Sequence, residues 1–288
     1  MATQKSFLKW VGSKARLIPD LMQVLPRSGA VLREPFAGSA TIFMNTDYET
    51  YHLNDANIDL VNTFRFLASD CDAFTNELRS LFIGGNCVAT YQQRVKQFND
   101  ACDSREKALL FNYLVRHSFN GLFRVNQKGF FNAPFGNYAK VCFPEREMAF
   151  FAEKVTRAKA VYFTANDYQD FLKLHISQAD EGDVLYLDPP YVPSSQTADF
   201  CSYTGSGFDG FHQRVLHQYA LMFVAAGNQV VLSNSDTAMT RKLYSGQDIH
   251  VVDVRRSISC NGSRRDKVRE LIVNYEQRHV IDQAIGLG

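Results

Sequence analysis

The chain has 288 residues, 45% of them hydrophobic and 21% charged, with 31 basic and 30 acidic side chains for a formal net charge of +1. At about 150 residues per domain this leaves room for roughly two domains and for a core that needs no disulfides. Such a composition excludes wholesale disorder, and the charge balance excludes a protein that coats polyanions with its whole surface, though not one with a local basic face.

Six cysteines, Cys71, Cys87, Cys102, Cys142, Cys201 and Cys260, include no C-x-x-C pair and no accompanying His-x-x-x-His cluster. That spacing argues against a zinc site and against a secreted disulfide framework. Reduced thiols, no bound metal and a cytoplasmic location are the expectation. Neither a signal peptide nor a run of ~18 apolar residues is found, so no membrane contact is expected.

In chain order, Phe7 to Lys14 (FLKWVGSK) comes first and sets the only tryptophan, Trp10, between Lys9 and Lys14. Two readings fit: a basic arm with a packing aromatic, or a ring set against a cationic or planar cofactor group with Lys14 paired to a carboxylate. Ala30 to Phe36 (AVLREPF) reads as a strand ending in Ala37-Gly38-Ser39. Small residues at a strand-to-helix turn let a nucleotide approach the backbone. A second strand, Thr50 to Asp55 (TYHLND), ends in an acid about twenty residues later, where ribose hydroxyls can be bound. Together they suggest an adenosyl-type ligand. The absence of G-x-G-x-x-G argues against NAD or FAD. Asn57 to Ala68 then has helical spacing at Ile58, Val61, Phe64 and Leu67.

From Ser69 to Arg157 the rhythm breaks. Tyr91 to Phe98 and Glu106 to Val115 are helical in pattern, and Asn120 to Tyr138 is rich in Gly, Asn and Phe, interleaved with Arg124 and Lys128. The segment 69–157 reads as a mainly helical second domain inserted into a catalytic domain made of 1–68 and 158–288. The strand pattern resumes at Ala160 to Ala165, with Asn166-Asp167 as a helix start. It continues through Asp183 to Asp188, Gln229 to Ser233, Ile249 to Val254 and Glu270 to Tyr275. Strands alternating with helices imply an α/β, Rossmann-like fold with a mostly parallel sheet and an antiparallel edge from the last two strands. Val192 to Gly210, rich in Ser, Thr and Gly, is long enough to be a mobile cover over a site.

The strongest chemical signal is Asp188-Pro189-Pro190-Tyr191, where an apolar strand ends. A proline pair also simply stops strands. The combination with an acid and an aromatic ring suggests more. Prolines remove donors and leave carbonyl acceptors. A carboxylate beside such a carbonyl can take both hydrogens of an exocyclic amino group, and Tyr191 can stack on a planar heterocycle. The carboxyl edge of a parallel sheet is where ligands bind. Arg255, Arg256, Arg264, Arg265, Lys267 and Arg269 crowd a stretch whose only acid is Asp266. That cluster is either a solvated charge run or a phosphate-facing surface.

FLKWVGSK, REPFAGSA with Asp55 behind it, NGLFRVN, FNAPFGNY, DPPY and RRSISCNG together resemble the Dam-type DNA adenine-N6 methyltransferases, in that family's α-group order and across about Ser6 to Tyr275. The resemblance implies S-adenosylmethionine as methyl donor and adenine in double-stranded DNA, within GATC, as acceptor. It also implies a Rossmann-like methyltransferase sheet with an inserted target-recognition domain. Trp10, Lys14, Phe36, Gly38, Asp55, Asp167 and Asp188 match cofactor positions. Asp188, Pro189, Pro190 and Tyr191 match the catalytic motif. Lys9, Arg116, Phe119, Asn120, Leu122, Arg124, Pro134 and Tyr138 match DNA-contacting positions. Four residues depart from the pattern: Ser13 and Ala40 stand where glycines are usual, Phe119 for a tyrosine and Asn137 for an arginine.

The mechanism so implied has Asp188 and the Pro189 carbonyl accept the two N6–H bonds of a base flipped out of the duplex, with Tyr191 stacked on it and the methyl passed directly in line. Arg124 is the candidate for a bidentate guanine contact, with a phosphate contact as the alternative. A monomer is expected. Two other functions share these features: a cytosine-N4 or RNA amino-methyltransferase, and a catalytically silent DNA-binding regulator.

Overall fold

The computed structural model describes residues 3–191, 208–255 and 267–275. In chain order the elements are α1 (Ile18–Leu21), β1 (Ser28–Glu34), α2 (Thr41–Asn45), β2 (Asp47–Asn54), α3 (Ile58–Ser69), α4 (Cys71–Phe82), α5 (Val88–Asp100), α6 (Ser104–His117) and α7 (Glu145–Arg157). There follow β3 (Ala160–Thr164), α8 (Tyr168–Ile176), β4 (Val184–Leu187), α9 (Gly210–Ala225), β5 (Gln229–Ser235), α10 (Ala238–Leu243), β6 (Asp248–Arg255) and β7 (Lys267–Tyr275).

The strands form one mixed sheet in the order β3-β2-β1-β4-β5-β7-β6. β3, β2, β1, β4 and β5 are parallel, whereas β7 runs antiparallel between β5 and β6. The antiparallel pair expected from the sequence is therefore present, but the later strand lies inside the sheet and β6 is the edge. β1 stops at Glu34 rather than Phe36, because Pro35 has no N–H to continue a ladder. β2 begins at Asp47 rather than Thr50, since the exposed Asp47 and Glu49 extend the strand without an apolar signature.

Side chains alternate between two covered faces. Leu32, Tyr51, Tyr186, Val231 and Ile272 face an apolar cluster that runs on without a break into Phe74, Phe111 and Phe151 of the helical segment. Leu185, Leu187, Val230, Leu232, Leu271 and Val273 face the other side, under Phe171, Leu216 and Phe223 of α8 and α9. β4 is buried along its whole length, the pattern of a parallel strand covered on both faces. Arg33, between Leu32 and Glu34 on β1, donates to Asp183 Oδ2 at 2.7 Å in a buried ion pair.

No sheet strand lies between α3 and β3 among the described residues. After α6 the chain forms an irregular antiparallel hairpin. Phe119 N donates to the Pro134 carbonyl (2.8 Å), Asn132 N to Arg124 O (2.9 Å) and Asn126 N to Phe130 O (2.8 Å). The Asn126 side chain closes the tip by accepting from Lys128 N and Phe130 N. Asn120 and Asn137 adopt left-handed φ of 55° and 48°. Asparagine tolerates that region far better than arginine, which gives a physical reason for Asn137.

Candidate active site

The carboxyl ends of the five parallel strands lie along one edge of the sheet, together with the end of β6 and the start of β7. Asn54, the last residue of β2, ties three of them. Its Nδ2 donates to the Pro35 and Asn166 carbonyls (3.1 and 3.0 Å), and its Oδ1 accepts from Thr164 Oγ1 and Asn166 N. Asp55, the next residue, accepts from the Gly38 amide (3.0 Å) and from Asn57 N (2.9 Å). Burial pushes its carboxyl up to about 6, against these two amide bonds. Gly38 itself has φ +48°, and a Cβ there would lie 3.5 Å from the Trp10 ring. Ala40 caps α2 at a left-handed φ of 55°.

The expected cofactor residues thus gather on one side of this edge. Phe36 lies 5.3 Å from the Tyr168 ring and 5.8 Å, edge-on, from Phe208. Asp167 is exposed at the end of β3 and caps α8 by accepting from Gln169 N.

Asp188 ends β4. The Lys14 ammonium, only 7% exposed, lies 2.8 Å from Asp188 Oδ1, and Ser233 Oγ donates to the same oxygen at 2.9 Å. The carboxylate foreseen as the Lys14 partner is therefore Asp188. Among the described residues none donates to Oδ2 or to the Pro189 carbonyl. Burial raises the Asp188 carboxyl above its ordinary value, while Lys14 and Ser233 hold it back. The same ion pair raises Lys14 despite its burial.

Behind this edge lie residues that the sequence reading did not single out. Gln213 of α9 donates to the Pro190 carbonyl (3.2 Å), while its Oε1 accepts from Asn234 Nδ2 (2.9 Å) and Tyr244 OH (3.0 Å). Ser233 joins Asp188 to the Tyr186 hydroxyl. Glu34 is buried with one carboxylate oxygen unpartnered, and desolvation together with the Asp188 charge raises it to about 8. Tyr191 OH donates to Glu270 Oε2 on β7 at 2.7 Å.

The hairpin reaches this edge through the segment Phe7–Lys14. Lys9 Nζ stands 3.6 Å over the Tyr138 ring, and the Lys9 carbonyl packs where Gly121 lacks a Cβ. Trp10 stacks at 6.2 Å on Phe123 and lies 5.7 Å from Phe111. Phe119 is 48% exposed, and Arg124 is exposed with Nε and Nη2 held by the Asn132 side chain and carbonyl. Asn120 N donates to the Tyr138 hydroxyl oxygen at 2.6 Å, Pro134 is exposed, and Leu122 is half-buried. Arg116 is placed differently from the others. Its guanidinium donates to the Phe7 and Cys142 carbonyls, so it ties the N-terminal segment to α6 instead of presenting itself to solvent.

Arg269, at the start of β7, and Arg241 both pair with the buried Asp236 (3.1 and 2.5 Å). The rest of the basic run expected at the phosphate face, 256–266, and most of the expected cover, 192–207, lie outside the described residues. No group of three or more His, Cys, Asp or Glu residues among those described is placed to hold a metal ion. None of the described helices is long and apolar enough to cross a membrane.

Residues 10–258 match the family model of the D12 class N6 adenine-specific DNA methyltransferases. The chain belongs to this family. It is 41% identical over 286 residues to the DNA adenine methylase of Vibrio cholerae (strain O395), covering 99% of this chain and 100% of that one. With the DNA adenine methylase of Escherichia coli K12 it shares 41% identity over 277 residues, 96% of this chain and 97% of the relative. The Serratia marcescens enzyme of the same name is 40% identical over 278 residues. The D12-class enzyme acts on N6 of adenine in DNA, and the cytosine-N4, RNA and non-enzymatic alternatives fall away. The family's fold expectation holds too, as an α/β sheet of methyltransferase type.

Proposed function

We propose that the enzyme transfers the methyl group of S-adenosylmethionine to adenine N6 within GATC in double-stranded DNA, on a base flipped out of the helix. The observation that carries this reading is the Asp188 carboxylate. Oδ1 is occupied by Lys14 and Ser233, which leaves Oδ2 and the neighbouring Pro189 carbonyl as paired acceptors at the edge. Two acceptors side by side suit an amino group with two N–H bonds. Accepting both draws N6 toward a tetrahedral form whose lone pair is no longer delocalised into the ring.

The residues present fit the cofactor. Asp55 carries a carboxylate beside a loop whose Gly38 amide it already orients, and Phe36 with Tyr168 offers aromatic surface. Trp10 and Lys14 close the side of the loop next to Asp188. S-adenosylmethionine would supply a methyl group activated by its sulfonium and would leave as S-adenosylhomocysteine, with the surplus N6 proton passing to solvent. The protein's own part is to hold the acceptor nitrogen at attack distance, exclude water and keep Asp188 ionised.

Residues 69–157 are the target-recognition part in this reading, with the hairpin carrying Phe119, Asn120, Leu122, Arg124, Pro134 and Tyr138 toward DNA. Asn132 fixes the Arg124 plane, as bidentate recognition of guanine requires. Lys9 and the Arg241–Arg269 pair supply phosphate contacts. The reading implies a monomer working in a bacterial or phage-infected cytoplasm. Sequencing of methylated DNA from cells expressing the chain tests base and site together. Asp188→Ala should abolish transfer and leave DNA binding intact, and wild-type turnover in that variant would overturn the assignment.

A further inference from the structure

β7 enters the sheet antiparallel to its neighbour β5, so its first residues lie at the same edge as the last residues of the parallel strands. Glu270 is paired there on both sides, opposite Ser235 of β5 and Val252 of β6. Its Oε2 accepts the Tyr191 hydroxyl at 2.7 Å. That distance is an ordinary one for an O–H···O bond and lies within the range for a carboxylate acceptor. Tyr191 itself sits in no helix or strand. The paired strand is therefore the rigid partner and the tyrosine the adjustable one. Lys14 Nζ lies 4.8 Å from the Tyr191 ring centroid, so the ring also borders the ion pair that organises Asp188.

We propose that Glu270 is the positioning residue of Tyr191: it holds the phenol hydroxyl so that the ring face stands fixed beside Asp188, ready for the target base. A carboxylate on the hydroxyl also makes the ring more electron-rich. Its face then better attracts a base whose amino nitrogen gains positive charge as it takes the methyl. This inference rests on the reading that Tyr191 stacks on the flipped base. Glu270 touches no reacting atom; its direct contact is with the Tyr191 hydroxyl, while its charge also reaches Lys14 and Asp188 and favours their protonated forms.

The test is a double-mutant cycle on the whole enzyme with Glu270→Gln, Glu270→Ala, Tyr191→Phe and the Glu270→Ala/Tyr191→Phe pair. Three quantities are read: single-turnover methylation rate, S-adenosylmethionine affinity, and fluorescence of a duplex with 2-aminopurine at the target position, which brightens when the base unstacks. Glu270→Ala should slow single turnover by about 10- to 100-fold, as expected for one lost hydrogen bond to a charged group. Glu270→Gln, which keeps an acceptor and loses the charge, should fall between it and wild type. The double variant should be no slower than Tyr191→Phe, and cofactor affinity should stay unchanged. Fluorescence should differ from wild type in Glu270→Ala and in Tyr191→Phe, because the ring no longer takes up the base in the same way.

Multiplicative losses in the double variant would overturn the proposal, since Glu270 would then act elsewhere. So would a fall in cofactor affinity in Glu270→Ala, which would mean that it acts through Lys14. If Glu270→Ala does not fold, Glu270→Gln carries the cycle alone. Tyr191→Ala separates this proposal from the reading beneath it. Wild-type rate and fluorescence in Tyr191→Ala would sink the stacking role itself, whereas a loss there with none in Glu270→Ala and Glu270→Gln would sink only the role of Glu270.

Discussion

Lys14 and Asp188 meet at a single atom: the ammonium lies 2.8 Å from Oδ1, and the Ser233 hydroxyl occupies the same oxygen. The carboxylate is thereby anchored on one side and left open on the other. Lys14→Met removes the positive charge that, among the described residues, holds this buried acid ionised against desolvation. A buried carboxylate stripped of its partner is disfavoured by about 3–5 kcal/mol. We expect turnover to fall at least about 100-fold at neutral pH. The sign of the pH effect follows from the charge. Losing a cation raises the acid's pKa, so the acid limb of the rate profile should move to higher pH and alkali should partly restore activity. A profile measured from pH 6 to 9 checks this.

Gly121 gives a second prediction. A Cβ at this residue would stand 2.5 Å from the Lys9 carbonyl, a backbone atom that cannot step aside, and its φ of +73° is already left-handed. Gly121→Ala should therefore push the Phe7–Lys14 segment away from the hairpin. Such overpacking costs about 1–3 kcal/mol. DNA affinity should fall along with catalytic rate, because the same eight-residue segment carries both Lys9 and Lys14. Binding and rate measured side by side decide it. Loss of only one of the two would contradict the coupling.

These two cases show what the sequence alone could and could not disclose. Asp188, Lys14, Asp55 and Gly38 are legible because their chemistry is tied to local strings of residues. Ser233, Gln213, Asn54 and Glu270 are ordinary polar residues with no local signature. Their roles arise from pairing, which brings β5 beside β4 and β7 beside β5. Alternation of apolar residues marks a strand but not its neighbours, so the insertion of β7 inside β6 was not readable. Arg116 illustrates the converse: it matches a DNA-contacting position, and its hydrogen bonds go to backbone carbonyls within the fold.

Glu34 offers a test of stability with a definite sign. Its carboxyl is raised from an ordinary 4.5 to about 8. A raised acid binds its proton more tightly when folded, so its contribution is fully present below pH 4.5 and is lost as pH rises toward 8. Glu34→Gln keeps the shape and removes the titration. We expect the variant to gain roughly 3–5 kcal/mol over wild type by pH 9. At pH 4 to 5 the two should melt alike. Denaturation curves at pH 5 and pH 8.5 measure the gap, and equal stability at both would show that Glu34 stays ionised in the fold.

Arg124 tests sequence reading directly. If the guanidinium aligned by Asn132 reads a guanine edge, Arg124→Ala should cost about 1–3 kcal/mol on the preferred site and relax the preference at one base. Lys128→Ala, at the exposed hairpin tip, should instead weaken all sequences alike. Competition binding with duplexes that differ at single positions distinguishes the two. A uniform loss in Arg124→Ala would make it a phosphate contact.

The position of β7 also constrains how the molecule is made. Among the described residues β6 has no strand partner other than β7, and β5 has β7 as its second neighbour. As the chain leaves the ribosome, β6 emerges before the strand it must pair with, and the earlier parallel strands wait with an unfilled edge. Tyr191 likewise waits for Glu270. The Gly38 loop and Asp188 thus belong to segments made before β7, whereas the contact of Tyr191 with Glu270 can form only once β7 is in place.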